Sequence, residues 1–276
     1  MSHLYRYVAF SADPAGGNPA GVWIGRALPP DAEMQRIAAE VGYSETAFVA
    51  PEAGPGRTVR YFSPKVEVPF CGHATIATGA ALGAASGAGT YRLSTAAGSV
   101  PVTVRSAGAH WEASLTSVEP AFNLASARLV SEVLSVLHWN ADDLDDSIPP
   151  ALAYAGAWHL VLAAATRERL DALAYDFDAL ATLMRREGFV TAQLVWRERA
   201  GLFHSRNPFP VGGVVEDPAT GAAAAALGGY LREAGLMPAP FELTIRQGEA
   251  MGRPSVLAVN VPAAGGITVT GAAVPL

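Results

Sequence analysis

The 276 residues include a single cysteine, Cys71, and a single lysine, Lys65. One cysteine excludes an intramolecular disulfide and any racemase that works with two thiols. One lysine leaves a Schiff-base cofactor such as pyridoxal phosphate only Lys65 to attach to. Charge is sparse at 16% of residues, the net charge is −6, and no basic run is available to neutralise phosphates. Nucleic acid and anionic membrane surfaces are therefore not expected as partners. The longest stretch of low charge, Ala74 to Thr90, is interrupted by Gly79, Gly83, Gly87 and Gly89, which makes a poor membrane span. Residues 1–7 lack the charged-then-apolar layout of a secretory signal, so a soluble cytoplasmic protein is expected. No two of the six histidines have the i, i+4 spacing of a helical zinc site, and neither a phosphate loop nor a dinucleotide fingerprint is present. The acidic cluster Asp142, Asp143, Asp145 and Asp146 lacks the glycine and final glutamate of a calcium loop, and reads as the start of a helix capped by Asn140. The expectation is chemistry without metal or cofactor.

Half of the residues are hydrophobic, enough for a substantial core in one large domain or two ordinary ones. One segment occurs twice. Gly72–Gly83 aligns without a gap with Asp217–Gly228, at an offset of 145 residues (217 − 72), sharing an Ala-Thr pair and a closing Ala-Ala-Leu-Gly. A spacing of half the chain points to two similar halves, not to a short-repeat solenoid. Each copy opens on an ionisable group, His73 or Asp217, and then turns small and apolar. If the halves face each other, two helix N-termini and both groups converge on one cleft.

The remaining pattern fills in the halves. Alternating stretches read as strands at Tyr5–Phe10, Ala20–Ile24, Ala47–Ala50, Val59–Phe62, Ser99–Val104 and Trp111–Leu115. One helix intervenes, capped by Asp31, with Met34, Ile37, Ala38 and Val41 on its apolar face and Gly42 at its stop. Helices follow at 127–137, 167–173 and 178–187. Strands are expected at 158–162, 191–196, 201–205, 243–247, 256–261 and 267–270. The repeat helices, 74–85 and 219–231, have no charged face, and a helix apolar all round is buried all round. The fold class is α/β (α+β): two pseudo-symmetric halves, residues 1–118 and 119–276, each a curved, mostly antiparallel sheet wrapped around a central helix. The last strand is free to return to the first half.

The candidate chemistry sits at the helix starts. Asp217-Pro218 suits a helix cap followed by the first helical residue, so Asp217 is either a cap or a functional charge. Cys71-Gly72-His73 occupies the corresponding place, where glycine permits close approach and the first amides can hold an anion. His73 is either a structural histidine or a site group. Glu45, between Gly42 and an apolar strand, is either an exposed strand-entry residue or a partly desolvated acid that takes and returns a proton. Asn18, in the turn-rich Gly16–Gly21, belongs to a plain turn or bonds a substrate.

Together, Gly17-Asn18-Pro19-Ala20-Gly21-Val22, Ser44-Glu45-Thr46-Ala47-Phe48, the run Phe62–Thr75 and Glu216-Asp217-Pro218-Ala219-Thr220-Gly221 resemble the phenazine-biosynthesis (PhzF-like) isomerase family, related in fold to diaminopimelate epimerase. The motifs fall in the family's order and span nearly the whole chain. The resemblance implies a diaminopimelate epimerase-like fold, a cleft between the halves, homodimers and cofactor-free proton transfer on a small carboxylate-bearing substrate. By matching motif it implies Glu45 as acid/base, His73 and Asp217 as its partners, and substrate contacts from Asn18, Ser44, Gly72, Thr220, Gly221 and Ala222. Relatives of the phenazine enzyme often carry serine where this chain has Ala222, so a substrate-facing hydroxyl is missing here. The expected activity is an isomerase or epimerase, with trans-2,3-dihydro-3-hydroxyanthranilate as the reference substrate. The alternatives are a non-catalytic binding protein on the same scaffold, and a lyase or hydrolase using the same carboxylate.

Overall fold

The computed structural model describes residues 2–276, which divide into two compact units: 2–116 with 270–276, and 117–269. The first unit runs β1 (His3–Ala9), β2 (Asn18–Ile24), α1 (Asp31–Val41), β3 (Thr46–Pro51), β4 (Arg57–Phe62), β5 (Glu67–Val68), α2 (Gly72–Ser86), β6 (Gly89–Thr95), β7 (Gly98–Ala107) and β8 (His110–Thr116). The second runs β9 (Ala121–Leu124), α3 (Ala127–Leu137), β10 (Ala151–Tyr154), β11 (Trp158–Ala163), α4 (Arg167–Asp171), α5 (Phe177–Glu187), β12 (Thr191–Arg199), β13 (Leu202–Phe209), β14 (Val214–Asp217), α6 (Gly221–Glu233), β15 (Phe241–Gln247) and β16 (Ser255–Val261). The last strand, β17 (Thr268–Pro275), carries the chain back into the first unit.

The two units share one connectivity. β2 is parallel to β3, β3 antiparallel to β4, β4 parallel to β6 and β6 antiparallel to β7. β11, β12, β13, β15 and β16 repeat those senses in the same order. Even the short side strands correspond, β5 on β4 and β14 on β13, both antiparallel. In the first unit β17 pairs with both β8 and β1, so the sheet closes on itself around α2. Closure removes the exposed strand edges that otherwise invite misassociation.

The central helices follow from their composition. In α2 every residue from His73 to Gly83 is buried, and α6 is buried from Ala223 to Arg232. Small side chains let the strands come close. A Cβ on Gly79 would stand 2.9 Å from both Ala113 Cβ and Val102 Cγ1; one on Gly228 would stand 2.9 Å from Val261 Cγ2. Gly79 and Gly228 thus do the same job against equivalent strands, which fixes the true register of the repeat. The helices begin at Gly72 and Gly221, an offset of 149 (221 − 72), so the sequence alignment at 145 is one helical turn out. In the correct register Cys71 matches Thr220, and His73 matches Ala222.

Other helices cover the outer faces. Leu129, Val133 and Leu137 of α3 and Leu180, Leu183 and Met184 of α5 pack with Leu160, Leu162, Ala192 and Leu194 of β11 and β12. Strand alternation then turns His159 and Thr191 toward the opposite face. There His159 Nδ1 lies 2.8 Å from Thr191 Oγ1, while its Nε2 has no protein partner. Burial pushes its pKa down to about 3. On α1, Met34 and Ala38 pack with Phe48 and Phe62.

Of three local capping expectations, two are corrected and one is met. Asp31 does not cap α1; Pro30 is the N-cap residue and makes no side-chain bond, while Asp31 pairs with Arg60 at 2.6 Å. Asn140 is the N-cap residue of a helix with the acids Asp142 and Asp143 in its first turn, as expected; the helix is a single 3₁₀ turn, Ala141–Asp143, and the Asn140 amide donates to Asp143 Oδ2. Asp217 and Pro218 do not start α6: Asp217 ends β14, and Thr220 is the N-cap residue.

Candidate active site

In the first unit the sequence brings four side chains to the start of α2. Strands β2 and β3 run parallel, with Gly21 opposite Thr46, so Asn18 and Glu45 lie at the same ends of neighbouring strands. Gly21 is needed here, because a Cβ would approach Thr46 Oγ1 to 2.6 Å; its amide donates to the Glu45 carbonyl at 3.2 Å. Glu45 thereby projects from the turn before β3. Its Oε2 lies 3.4 Å from His73 Nε2 and 3.5 Å from Cys71 Sγ. Cys71 Sγ is also 3.3 Å from His73 Nδ1, and Ser44 Oγ is 3.2 Å from His73 Nε2. The side chain of Glu45 is 16% exposed and that of His73 7%, so the pair is largely dry yet reachable. Asn18 is buried at the start of β2.

The helix start itself is anchored from below. Thr75 Oγ1 donates to the Cys71 carbonyl at 2.6 Å and therefore accepts from Tyr61 Oη at 2.7 Å. Full burial drives the Tyr61 phenol well above its ordinary pKa, keeping it a donor at every physiological pH. Thr75 is the first amide bonded back along the helix, to the Cys71 carbonyl. The amides of Gly72, His73 and Ala74 thus have no acceptor within α2. No acidic residue occupies the first turn, so its positive end is left for an anion.

The second unit prepares its helix start differently. Thr220 Oγ1 donates to Asp217 Oδ2 at 2.5 Å, and Gln247 Nε2 donates to the Asp217 carbonyl at 2.7 Å. Gln247 Oε1 accepts from the Thr220 amide at 3.2 Å. Gly248 must be glycine: its φ is +75°, and a Cβ would meet Arg253 O at 2.3 Å and Pro218 O at 2.7 Å. Asp217–Thr220 is thus a clamped loop. Gly221 and Ala222 form the first turn of α6, which again has no acid in it. Next to Asp217, Glu216 makes a two-pronged ion pair with Arg206, Nε to Oε1 at 3.0 Å and Nη2 to Oε2 at 2.6 Å.

Of the residues expected from sequence, Ser44, Glu45, Gly72 and His73 come together in the first unit, and Asp217, Thr220, Gly221 and Ala222 in the second. Cys71 was not expected as a site member, although its sulfur touches both Glu45 and His73. Its place directly before Gly72-His73 was the available signal. Gln247 and Arg206 carried no signal, because their partners are 27 and 10 residues away and only strand pairing joins them. Glu45, Cys71 and His73 each offer one donor atom, and these atoms all lie within 4.8 Å of one another.

Residues 7–276 match the family model described as phenazine biosynthesis-like protein. The chain is 31% identical over 267 residues to an isomerase of Escherichia coli (strain K12), covering 94% of this chain and 89% of that one. It is 33% identical over 261 residues to the trans-2,3-dihydro-3-hydroxyanthranilate isomerase of Pseudomonas fluorescens, covering 92% and 89%. The fold is that of a Bacillus anthracis phenazine biosynthesis protein of the PhzF family, with a TM-score of 0.88 at 24% identity over 100% of this chain and 97% of that one. Two halves of one connectivity, each with its buried central helix, and a family match over almost the full length lead to one conclusion: the chain belongs to the phenazine biosynthesis-like family of isomerases.

Proposed function

We propose that this isomerase moves a proton on a small carboxylate-bearing metabolite, with Glu45 as the group that removes and returns it. The observation that carries this reading is the Glu45 carboxylate set 3.4 Å from His73 Nε2, at the open start of α2. Glu45 takes the proton from a carbon of the bound substrate, and the electron pair left behind spreads into the adjoining unsaturated system. The amides of Gly72, His73 and Ala74 meet the negative charge that develops, fixed in place before the reaction begins. Glu45 then returns the proton to a different carbon, or to the other face of the same one. His73, bonded by Ser44, holds the carboxylate in position. Asp217, which ends β14 while Thr220 takes the N-cap place of α6, contributes through its charge.

For the substrate, trans-2,3-dihydro-3-hydroxyanthranilate is the compound to try first, because the Pseudomonas fluorescens relative is named for acting on it. The test is deuterium incorporation from solvent into that compound, with wild type, Glu45→Gln and Asp217→Asn compared. Glutamine keeps the size of Glu45 but cannot carry a proton, and loss of general acid–base assistance should slow exchange by about 10²–10⁴-fold. Asp217→Asn keeps an oxygen to accept from Thr220 and removes only charge, so a large loss there supports a charge role. Exchange by Glu45→Gln at the wild-type rate would remove Glu45 as the proton carrier. Wild type that exchanges no deuterium into this compound would rule it out as substrate.

A further inference from the structure

We propose that Glu45, Cys71 and His73 form a binding site for a borderline-soft divalent cation, zinc above all, and that the bound ion holds the enzyme inactive. The donor set is the first argument. A thiolate, an imidazole and a carboxylate together suit zinc and do not suit magnesium or calcium, which take oxygen ligands alone. Geometry is the second. A tetrahedral zinc ion, with sulfur at about 2.3 Å and nitrogen or oxygen at about 2.1 Å, sets its donors roughly 3.4–3.6 Å apart. Here Sγ–Oε2 is 3.5 Å, Oε2–Nε2 is 3.4 Å and Sγ–Nε2 is 3.8 Å. Two edges match, and the third is long by about 0.2 Å. The three donor atoms are thus close enough for one ion, but Sγ lies nearer to His73 Nδ1, at 3.3 Å, so the imidazole has to turn to aim the Nε2 lone pair at an ion held with Sγ and Oε2; a fourth position is then left for water or an anion.

The i, i+4 spacing of a helical zinc site does not pick out this set, because Glu45 comes from the turn before β3 while Cys71 and His73 stand at the start of α2. On binding, the Cys71 thiol gives up its proton to solvent as the sulfur–metal bond forms. His73 binds through unprotonated Nε2, and Glu45 through Oε2. The same Oε2 is the proposed proton carrier, so an ion there occupies the lone pair that the reaction needs. This inhibitory clause rests on the isomerase reading above, whereas binding itself does not.

The binding experiment therefore uses no substrate. Metal-free protein is titrated with Co²⁺ and then Zn²⁺, followed by absorption and calorimetry. One equivalent of Co²⁺ should give a thiolate-to-cobalt charge-transfer band that Zn²⁺ displaces and Mg²⁺ does not. Cys71 is the only cysteine in the chain, so no other residue can produce that band. Cys71→Ser is the informative variant, because Cys71 is the N-cap residue of α2 and serine is favoured there, which protects the fold. Altering residues merely behind a metal ligand costs about 10–100-fold in affinity, so removing a ligand should weaken zinc binding by more than about 100-fold and abolish the band. Absence of the band in wild type overturns the proposal. So does zinc binding unchanged in Cys71→Ser, which would place the ion elsewhere, for example at His204 between Glu198 and Glu249. If zinc binds as expected but leaves deuterium exchange untouched, the inhibitory clause fails and the site remains.

Discussion

Replacing Arg206 with methionine should destabilise the second unit more than any surface change can. Arg206 and Glu216 are joined by two bonds, and their side chains are only 15% and 4% exposed. Arg206 also donates through Nη1 to the Asp171 carbonyl at 2.9 Å. At an effective dielectric of about 20, two opposite charges about 3 Å apart attract by roughly 5–6 kcal/mol. Desolvation offsets most of that gain, so the intact pair is worth little against an apolar pair of the same shape. Removing one partner is different, because Glu216 is left charged and buried, at a cost of about 3–5 kcal/mol. With a urea m-value of about 2 kcal/mol per molar, the unfolding midpoint should fall by roughly 1.5–2.5 M. Tryptophan fluorescence can follow it, since Trp139, Trp158 and Trp196 all lie in this unit. The double variant Arg206→Met/Glu216→Leu should recover most of the loss. A midpoint that falls by less than about 0.5 M in the single variant, or a double variant no better than the single, would show that solvent already reaches the pair and refute the reasoning.

Two further outcomes follow from buried groups. His159 is held neutral with a pKa of about 3, below its unfolded value of 6.5, so the stability it allows is complete above pH 6.5 and is lost as pH falls toward 3. Within that window the loss is about 1.4 kcal/mol per pH unit, and a His159→Gln variant should show a shallower acid slope in urea midpoints; equal slopes would mean His159 is not the cause. Gly229→Ala gains about 1 kcal/mol of helix propensity but drives its Cβ to 2.3 Å from Pro120 Cβ, and overpacking of about 1–3 kcal/mol should win. Thermal unfolding would expose the error if that variant melted higher than wild type.

The elements most legible in the sequence were those with a strong period. Residues 127–137 form α3 with the expected bounds, because Leu129, Val133 and Leu137 return to one face. The repeat told of two halves, yet its register was misread by a turn. In an alanine-rich helix a four-residue slide keeps the composition and nearly the same face, so identity counts cannot detect it. Only the close approach of Gly79 and Gly228 to their strands does. The capping chemistry of Asp217-Pro218 placed the helix start three residues too early, whereas Thr220 holds the N-cap place and its hydroxyl bonds back to Asp217. Short strands such as β5 and β14 have too few residues for alternation to show. Glu45 and His73 were legible as single residues, but their meeting with Cys71 depends on how β3 and α2 come together, and no local pattern records that.

The return of β17 sets a timetable for the chain's own synthesis. Tyr7 lies opposite Pro275 and Ala9 opposite Ala273, so these residues wait for partners made 268 (275 − 7) and 264 (273 − 9) residues later. Between Thr116 and Thr270 the ribosome adds 154 residues (270 − 116), which takes roughly 8–30 s at about 5–20 residues per second. Throughout that interval the emerging β1 and β8 lack the strand that joins them, while every strand of the second unit up to β16 is completed. The second unit is thus free to fold on the nascent chain, and the unit that holds Glu45, Cys71 and His73 is the last to close.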